Sequence, residues 1–230
     1  MKILIACEFS GTVRDAFSSK GHDAWSCDLL PTEKSGQHIQ GDVLEVIKQG
    51  WDMMIAHPPC TYLSYAGTRC WNDLGRLQKR LEALNFFAML WEAPIERICI
   101  ENPMGCASPT IAKYTQVIQP YYFGDPESKR TCLWLKNLPP LKHNKHHTLF
   151  DKSTHVKPQI YGYYKNGKKK GMPIYGNHLL SPSENRSKIR SVFFKGIAQA
   201  MATQWGGCYP MKDNNRKCEN IEECEKWQER

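Results

Sequence analysis

No apolar run in this sequence approaches the length of a membrane span. The opening Met1-Lys2-Ile3-Leu4-Ile5-Ala6 is too short for a secretory leader and runs straight into polar residues, so a cytoplasmic protein is expected. Acids are in the minority. Against 31 Lys and Arg stand 23 Asp and Glu, a net charge of +8 that suits a polyanionic partner such as nucleic acid but does not name one. The ten cysteines include no Cys-x-x-Cys, and Cys208, Cys218 and Cys224 lack metal-ligand spacing. His143, His146, His147 and His155 lie close together, but no cysteine pair completes a zinc set, so no metal is expected. Disulfides are not expected either. Cys27, Cys99 and Cys132 sit inside apolar runs and read as buried thiols.

What is present fits one α/β domain with a small accessory lobe: 230 residues, 41% of them hydrophobic. Residues 2–6 are a β-rich start that runs into Cys7-Glu8-Phe9-Ser10-Gly11-Thr12. A glycine just after a first strand lets the backbone turn tightly and approach a ligand. Val13, Ala16 and Phe17 have helical spacing, and residues 23–27 read as a second strand closed by Asp28. An acid there is placed either to bind ribose hydroxyls or to cap a turn. Residues 31–40 look turn-rich, and Asp42 can cap a short helix over 43–47.

Residues 52–56 form a short apolar run that reads as a strand and ends in His57-Pro58-Pro59-Cys60. Proline lacks an amide hydrogen, so the chain must leave the sheet there in a stiff turn. Cys60 is then a nucleophile or a small apolar filler at the sheet edge where ligands bind. Residues 62–75 read as a loop over this place. Leu74, Leu77, Leu81, Leu84, Ala88 and Trp91 mark an amphipathic helix stopped by Pro94, with those residues as its core face. Arg97-Ile98-Cys99-Ile100 is the next strand and ends in Glu101-Asn102-Pro103, a catalytic or capping cluster. Ser108-Pro109 then predicts a helix through Ile118, followed by strands over 119–123 and 131–135.

The texture changes over 142–170. This stretch has eight lysines, four histidines and one acid, interleaved with Tyr161, Tyr163 and Tyr164. Such a pattern suits phosphate and base contacts, or a solvated loop. A last helix is expected over 189–205, closed by Gly206-Gly207, and a charged tail follows. The alternation of elements predicts an α/β fold, a doubly wound and mostly parallel sheet.

In the order and spacing of its polar clusters the chain resembles the DNA (cytosine-5)-methyltransferase family. Phe9-Ser10-Gly11 is similar to the first family motif, which lies against S-adenosylmethionine. Asp28 stands where the family has its ribose acid, and Gly41-Asp42-Val43 resembles the motif that contacts the adenine amine. Pro59-Cys60 matches the Pro-Cys signature, and Glu101-Asn102-Pro103 resembles the Glu-Asn-Val motif that grips the cytosine edge. The helix through Ile197 and Trp205 resembles the final motif, which returns to the cofactor pocket.

The resemblance implies a methyltransferase-type domain over 1–141, a reduced recognition region over 142–185, a returning helix over 186–207 and a tail over 208–230. It implies S-adenosylmethionine as cofactor, held by Phe9, Ser10, Gly11, Asp28, Asp42 and Pro58. It implies methyl transfer to C5 of cytosine in DNA, single-stranded or with the base flipped out to reach a buried Cys60. Cys60 is the expected nucleophile, Glu101 the acid at ring N3, Asn102 the loop holder, and Lys129 or Arg130 the charge that favours the thiolate. Pro59, Ser64, Thr131, Lys168, Lys169 and Lys170 are the expected substrate contacts.

The chain also departs from the family. Thr12, Val13 and Arg14 replace the later glycines of the first motif. Glu127-Ser128-Lys129-Arg130-Thr131 occupies the region of the Gln-x-Arg-x-Arg motif without matching its frame. The insert is far smaller than a family recognition domain. RNA, a free cytosine nucleotide, or a non-catalytic nucleic-acid-binding role on the same fold are the alternatives. A cysteine hydrolase would pair Cys60 with His57, but no Asp or Asn partner for that histidine is evident in the sequence.

Overall fold

The computed structural model describes residues 1–66, 71–146, 153–179 and 193–207. His147, Asp151, the start of the predicted last helix at 189–192, and the charged tail over 208–230 lie outside the described residues.

The chain alternates strand and helix through its first half. β1 (Lys2–Ala6) leads to α1 (Thr12–Ser18), β2 (Asp23–Asp28), β3 (His38–Gln40), α2 (Val43–Val46), β4 (Met53–Ala56), α3 (Arg76–Trp91) and β5 (Arg97–Asn102). α4 (Ala107–Thr110), β6 (Gln116–Ile118), a 3-10 turn (Pro120–Phe123) and β7 (Thr131–Lys136) complete the main sheet. The insert carries a small hairpin of β8 (Gly162–Tyr163) and β9 (Pro173–Ile174), then α5 (Gly176–Leu179). The last helix, α6, is Lys195–Trp205.

Seven strands make one sheet in the order β3-β2-β1-β4-β5-β7-β6. β1 to β5 run parallel, while β7 is antiparallel to both β5 and β6. The direction of strand progression reverses between β1 and β4. Ligand crevices in open α/β sheets lie at such a reversal, outside the carboxyl ends of the strands. A doubly wound, mostly parallel sheet with an antiparallel β7 between β5 and β6 is the S-adenosylmethionine-dependent methyltransferase type of fold.

The central strands are near-continuous apolar runs because helices cover both faces. Alternate residues sort onto the two sides. Leu4, Ala6, Met54, Ala56, Ile98 and Ile100 pack with α2, with Phe87 and Leu90 of α3, and with Trp134. Ile3, Ile5, Met53, Ile55 and Cys99 pack with Val13 and Phe17 of α1 and with Ile197, Met201 and Trp205 of α6. Gly196, at the start of α6, fits where a Cβ would lie 1.9 Å from the Phe123 carbonyl oxygen.

Four expectations need correction. The turn-rich stretch 31–40 ends in β3, whose three residues pair with β2 but are too few to show a period. The helix expected from Ser108 to Ile118 is one turn, α4, with no side-chain cap, and Gln116–Ile118 is an edge strand. Residues 120–123 are a 3-10 turn rather than a strand, because Pro120 has no amide for a ladder. The expected leucine stripe is buried only in its later part. Leu74, ahead of α3, and Leu77 and Leu81 are exposed, while Leu84 and Trp91 pack against the core, because only the second half of the helix reaches the sheet.

Candidate active site

The segment after β4 is built from backbone constraints. The His57 amide donates to the Ala6 carbonyl at 2.9 Å, which keeps the chain in register with β1 past the end of β4. Pro58-Pro59 then carries it outward to Cys60, which is exposed at the lip of the sheet rather than buried as expected. The Cys60 carbonyl accepts from the amides of Leu63 (3.2 Å) and Ser64 (2.9 Å), so the next four residues close into a tight turn.

The loop after β5 grips this turn. Asn102 is 1% exposed, and its Nδ2 donates to the Pro58 carbonyl at 2.7 Å. The Cys106 amide donates to the Leu63 carbonyl (2.9 Å), the Tyr65 amide donates to the Met104 carbonyl (3.2 Å), and Ser64 forms a bridge with Gly105. Only glycine fits at 105. A Cβ there would lie 2.0 Å from the Leu63 carbonyl oxygen. The position of Cys60 is thus set by the strand that carries Glu101 and Asn102.

Glu101 is buried between three partners. Its Oε2 lies 3.2 Å from His57 Nδ1, and its Oε1 accepts from the Thr131 hydroxyl. Burial pushes the carboxyl pKa up. The His57 hydrogen bond, the Lys129 charge and the Thr131 hydroxyl outweigh it and hold Glu101 below the ordinary carboxylate value. The charge of Lys129 is therefore felt at Glu101, while its Nζ also lies 5.5 Å from the Phe194 ring centroid. Arg130 is exposed and lowers the Cys132 thiol pKa against the dominant effect of burial. Thr131 acts on Glu101 in this structure, a role its side-chain class alone did not reveal.

The loop after β1 forms the other wall. Cys7 (φ 59°) and Gly11 (φ 67°) turn the backbone through the left-handed region. Glu8 is 3% exposed and plugs the start of α1: its carboxylate accepts from the Val13 amide (2.7 Å), the Arg14 amide (3.2 Å) and the Ser10 hydroxyl (3.3 Å). Arg14 is buried and ties α1 to the loop before β3. Its guanidinium donates to Asp15, Ser26 and Thr32 and to the Lys34 and Ser35 carbonyls. Asp28 ends β2, and Asp42 caps the start of α2. Each accepts from an amide two residues on, Leu30 and Leu44, both at 2.9 Å. Burial, then Asp28, Cys27 and Asp42, push the Cys7 thiol pKa well up, so these acids share one edge with the first loop.

A small cavity lies at the reversal point, lined by Cys7, Glu8, Phe9, Ser10, His57 and Phe193. The His57 ring packs on Phe193 with centroids 4.5 Å apart. Nothing in the sequence singles out Phe193 or Glu8. His57 lacks an acid partner in its own stretch of chain, and the fold supplies one as Glu101 from 44 residues away. Among the described residues His57 Nε2 has no hydrogen-bond partner, so it does not hydrogen-bond to the Cys60 sulfur as a hydrolase dyad would.

A second, outer groove beside the cysteine turn is lined by Pro59, Tyr62, Lys79, Glu82, Ala83 and Phe86. Arg76 and Lys79 stand 5.1 and 5.7 Å from the Tyr62 ring centroid. The insert runs along the chain that leads to Lys129: the Val156 amide donates to the Tyr121 carbonyl and the Gln159 amide to the Pro126 carbonyl. Lys168, Lys169 and Lys170 are exposed at its tip, with Lys169 Nζ 5.6 Å from the Tyr164 ring centroid. His143 and His155 share a 2.7 Å contact between ring nitrogens and stack on Tyr122.

No known protein family and no curated protein matches the chain. Among solved structures, it is similar to a protein described as a DNA modification methyltransferase encoded within an E. coli prophage, at 15% identity and a TM-score of 0.37, over 58% of this chain and 45% of that one. It is similar to the S. pombe Dnmt2 methyltransferase at 17% identity and a TM-score of 0.41, over 60% of this chain and 50% of that one. The Entamoeba histolytica methyltransferase EhMeth matches at 14% identity and a TM-score of 0.42, over 69% of this chain and 57% of that one. The chain thus spans about half the length of these structures. Its fold assignment rests on its own strand order.

Proposed function

We propose that this chain methylates C5 of cytosine in nucleic acid, with Cys60 as nucleophile and S-adenosylmethionine as methyl donor. One observation carries the reading. Cys60 and Glu101 stand at the carboxyl ends of adjacent strands and are locked together by the Asn102 to Pro58 hydrogen bond, beside a cavity at the reversal point.

The lining fits one end of the cofactor: the cavity, about 10 Å³, takes a single small group such as an ammonium. Cys7, Phe9 and Ser10 of the loop after β1 line the cavity, and the buried His57 Nε2 there has no hydrogen-bond partner among the described residues. Phe9, Ser10 and Gly11 would hold the amino-acid and sulfonium side, Asp28 the ribose and Asp42 the adenine, with Pro58 between cofactor and base. When bound, S-adenosylmethionine supplies an electrophilic methyl group. The chain's own residues make cytosine receptive. The Cys60 thiolate adds to C6 as the C5–C6 double bond opens, which turns the ring into an enamine nucleophilic at C5; once C5 carries the methyl group, loss of the C5 proton and of the Cys60 thiolate restores the ring. Lys129 and Arg130 add positive charge on this side of the sheet. A cytosine N3 lone pair set against the ionised Glu101 is repulsive, so the complex takes up one proton and shares it between N3 and the carboxyl. Asn102 keeps Pro58-Pro59-Cys60 in place. Pro59, Ser64 and Thr131 flank the base. Lys168, Lys169 and Lys170, exposed at the tip of the insert, contact the phosphates of DNA or another polynucleotide in this reading.

The test is transfer of labelled methyl from S-adenosylmethionine to single-stranded DNA, duplex DNA, RNA and dCMP. Product 5-methylcytosine in DNA, abolished by Cys60→Ser, is expected. Methylation of RNA or dCMP alone would move the substrate, and no product with any of the four would overturn the reading.

A further inference from the structure

His57 is the functional-looking group that this mechanism leaves half used. Its side chain is 10% exposed. Nδ1 faces the Glu101 carboxylate, which is held ionised, so the proton of a neutral ring belongs on Nδ1. Nε2 then carries a bare lone pair. It is buried and has no hydrogen-bond partner among the described residues, a state that costs free energy until a donor satisfies it. His57 lines the cavity while Glu101 does not, so Nε2, across the ring from Glu101, is the polar atom that His57 offers there.

The other walls define the missing partner. A lone pair needs a donor. Glu8 adds a carboxylate to the same wall, and its oxygens already occupy the first amides of α1. The cavity therefore suits a cationic donor, and the helix start is not open to an anion. Strand order would set the orientation of a bound methyl donor. Asp28 ends β2, on the far side of β1 from β4, so an adenosine lying toward Asp28 leaves the amino-acid end over β1 and β4.

We propose that His57 is a positioning residue that accepts a hydrogen bond at Nε2 from the α-ammonium group of the methyl donor while Nδ1 holds Glu101. One imidazole thereby ties the methyl-donor pocket to the acid that grips the target base. This rests on the reading of the site as a methyltransferase centre. It also accounts for a histidine directly before Pro58-Pro59-Cys60, where backbone geometry alone asks for none.

The test compares S-adenosylhomocysteine with its analogue lacking the α-amino group, by calorimetry and by nitrogen NMR of histidine-labelled protein. In the wild type, loss of the amino group weakens binding about 10- to 100-fold, the worth of one hydrogen bond to a charged donor. In His57→Phe, which keeps a ring against Phe193, the two ligands bind within about twofold of each other. In the wild type, one ring nitrogen of the non-protonated class, assigned to His57 by its absence from His57→Gln, shifts on adding S-adenosylhomocysteine and stays unmoved with the deaminated analogue. An amino-group preference that survives in His57→Phe, or a His57 resonance indifferent to both ligands, overturns the inference and leaves the methyltransferase reading intact. Failure of the wild type to bind S-adenosylhomocysteine overturns both. The calorimetric comparison of the two ligands on the wild type needs no variant, so a variant that fails to fold does not block the decision: equal affinity for both ligands overturns the inference.

Discussion

Replacing Asn102 by alanine removes the clamp between the two strand ends that carry the site. The side chain is 1% exposed, and its Nδ2 donates to the Pro58 carbonyl at 2.7 Å. Pro58 itself is buried, so its carbonyl loses a donor in a place poorly reached by water. An acceptor stranded this way costs about 1–3 kcal/mol. For a chain of this size that corresponds to a fall in Tm of about 2–12 °C. The effect should be local before it is global. Amides of Leu63 and Ser64, which bond to the Cys60 carbonyl, should exchange faster with deuterium in Asn102→Ala, while those of β1 and β2 keep their protection. Asn102→Asp extends the argument. At neutral pH it sets a carboxylate against the Pro58 carbonyl oxygen and should be less stable than the alanine variant. Burial and that oxygen raise the folded pKa of the new aspartate, so the deficit shrinks as the pH falls and the protonated acid becomes a donor. Unchanged Tm and exchange in Asn102→Ala, or an aspartate variant that loses stability relative to alanine on acidification, would refute the clamp.

Gly105→Ala drives a Cβ to within 2.0 Å of the Leu63 carbonyl oxygen, a backbone atom, and should destabilise by about 1–3 kcal/mol while altering the alkylation rate of Cys60, measured by peptide mass spectrometry. Glu101 has a folded pKa below its unfolded value, so its stabilisation is present above the unfolded value near 4.5 and disappears as the pH drops through the folded one; the Tm gap between wild type and Glu101→Gln should be widest near neutrality and close on acidification. Because cytosine binding takes up a proton at Glu101, affinity for a cytosine-containing oligonucleotide should fall as pH rises, and the Glu101→Gln variant should flatten that dependence in fluorescence titrations. Joint replacement of Lys168, Lys169 and Lys170 by alanine should lower DNA affinity and reduce the slope of log K against log salt by about 0.7–0.9 for each phosphate that the insert no longer neutralises.

The alternating strands and helices are legible because central parallel strands are buried on both faces and show as short apolar runs. The polar clusters are legible because each stands where such a run stops. β3 and β6 are not, since three-residue strands have no period to read, and β6 reads as helix behind Ser108-Pro109. The leucines of α3 mislead for a different reason. A helical repeat reports a helix, but which part of it meets the sheet depends on where the sheet ends. In the site, Cys60 and Glu101-Asn102 can be picked out one by one. The links between them cannot, because the His57 to Glu101 and Asn102 to Pro58 contacts each join residues 44 apart. Glu8 and Arg14 show the same limit. A charged residue beside a glycine turn gives no sign in sequence that it will be buried, yet these two brace the loop after β1.

The most direct test of the central claim is a covalent one. Incubation with S-adenosylmethionine and an oligonucleotide carrying 5-fluorocytosine should give a protein–nucleic acid adduct that survives denaturation, because fluorine at C5 blocks the final elimination that frees the cysteine. The adduct should map to Cys60 by mass spectrometry and be absent from Cys60→Ser. An active enzyme that forms no adduct, or an adduct that persists in Cys60→Ser, would contradict the assignment of Cys60 as the nucleophile.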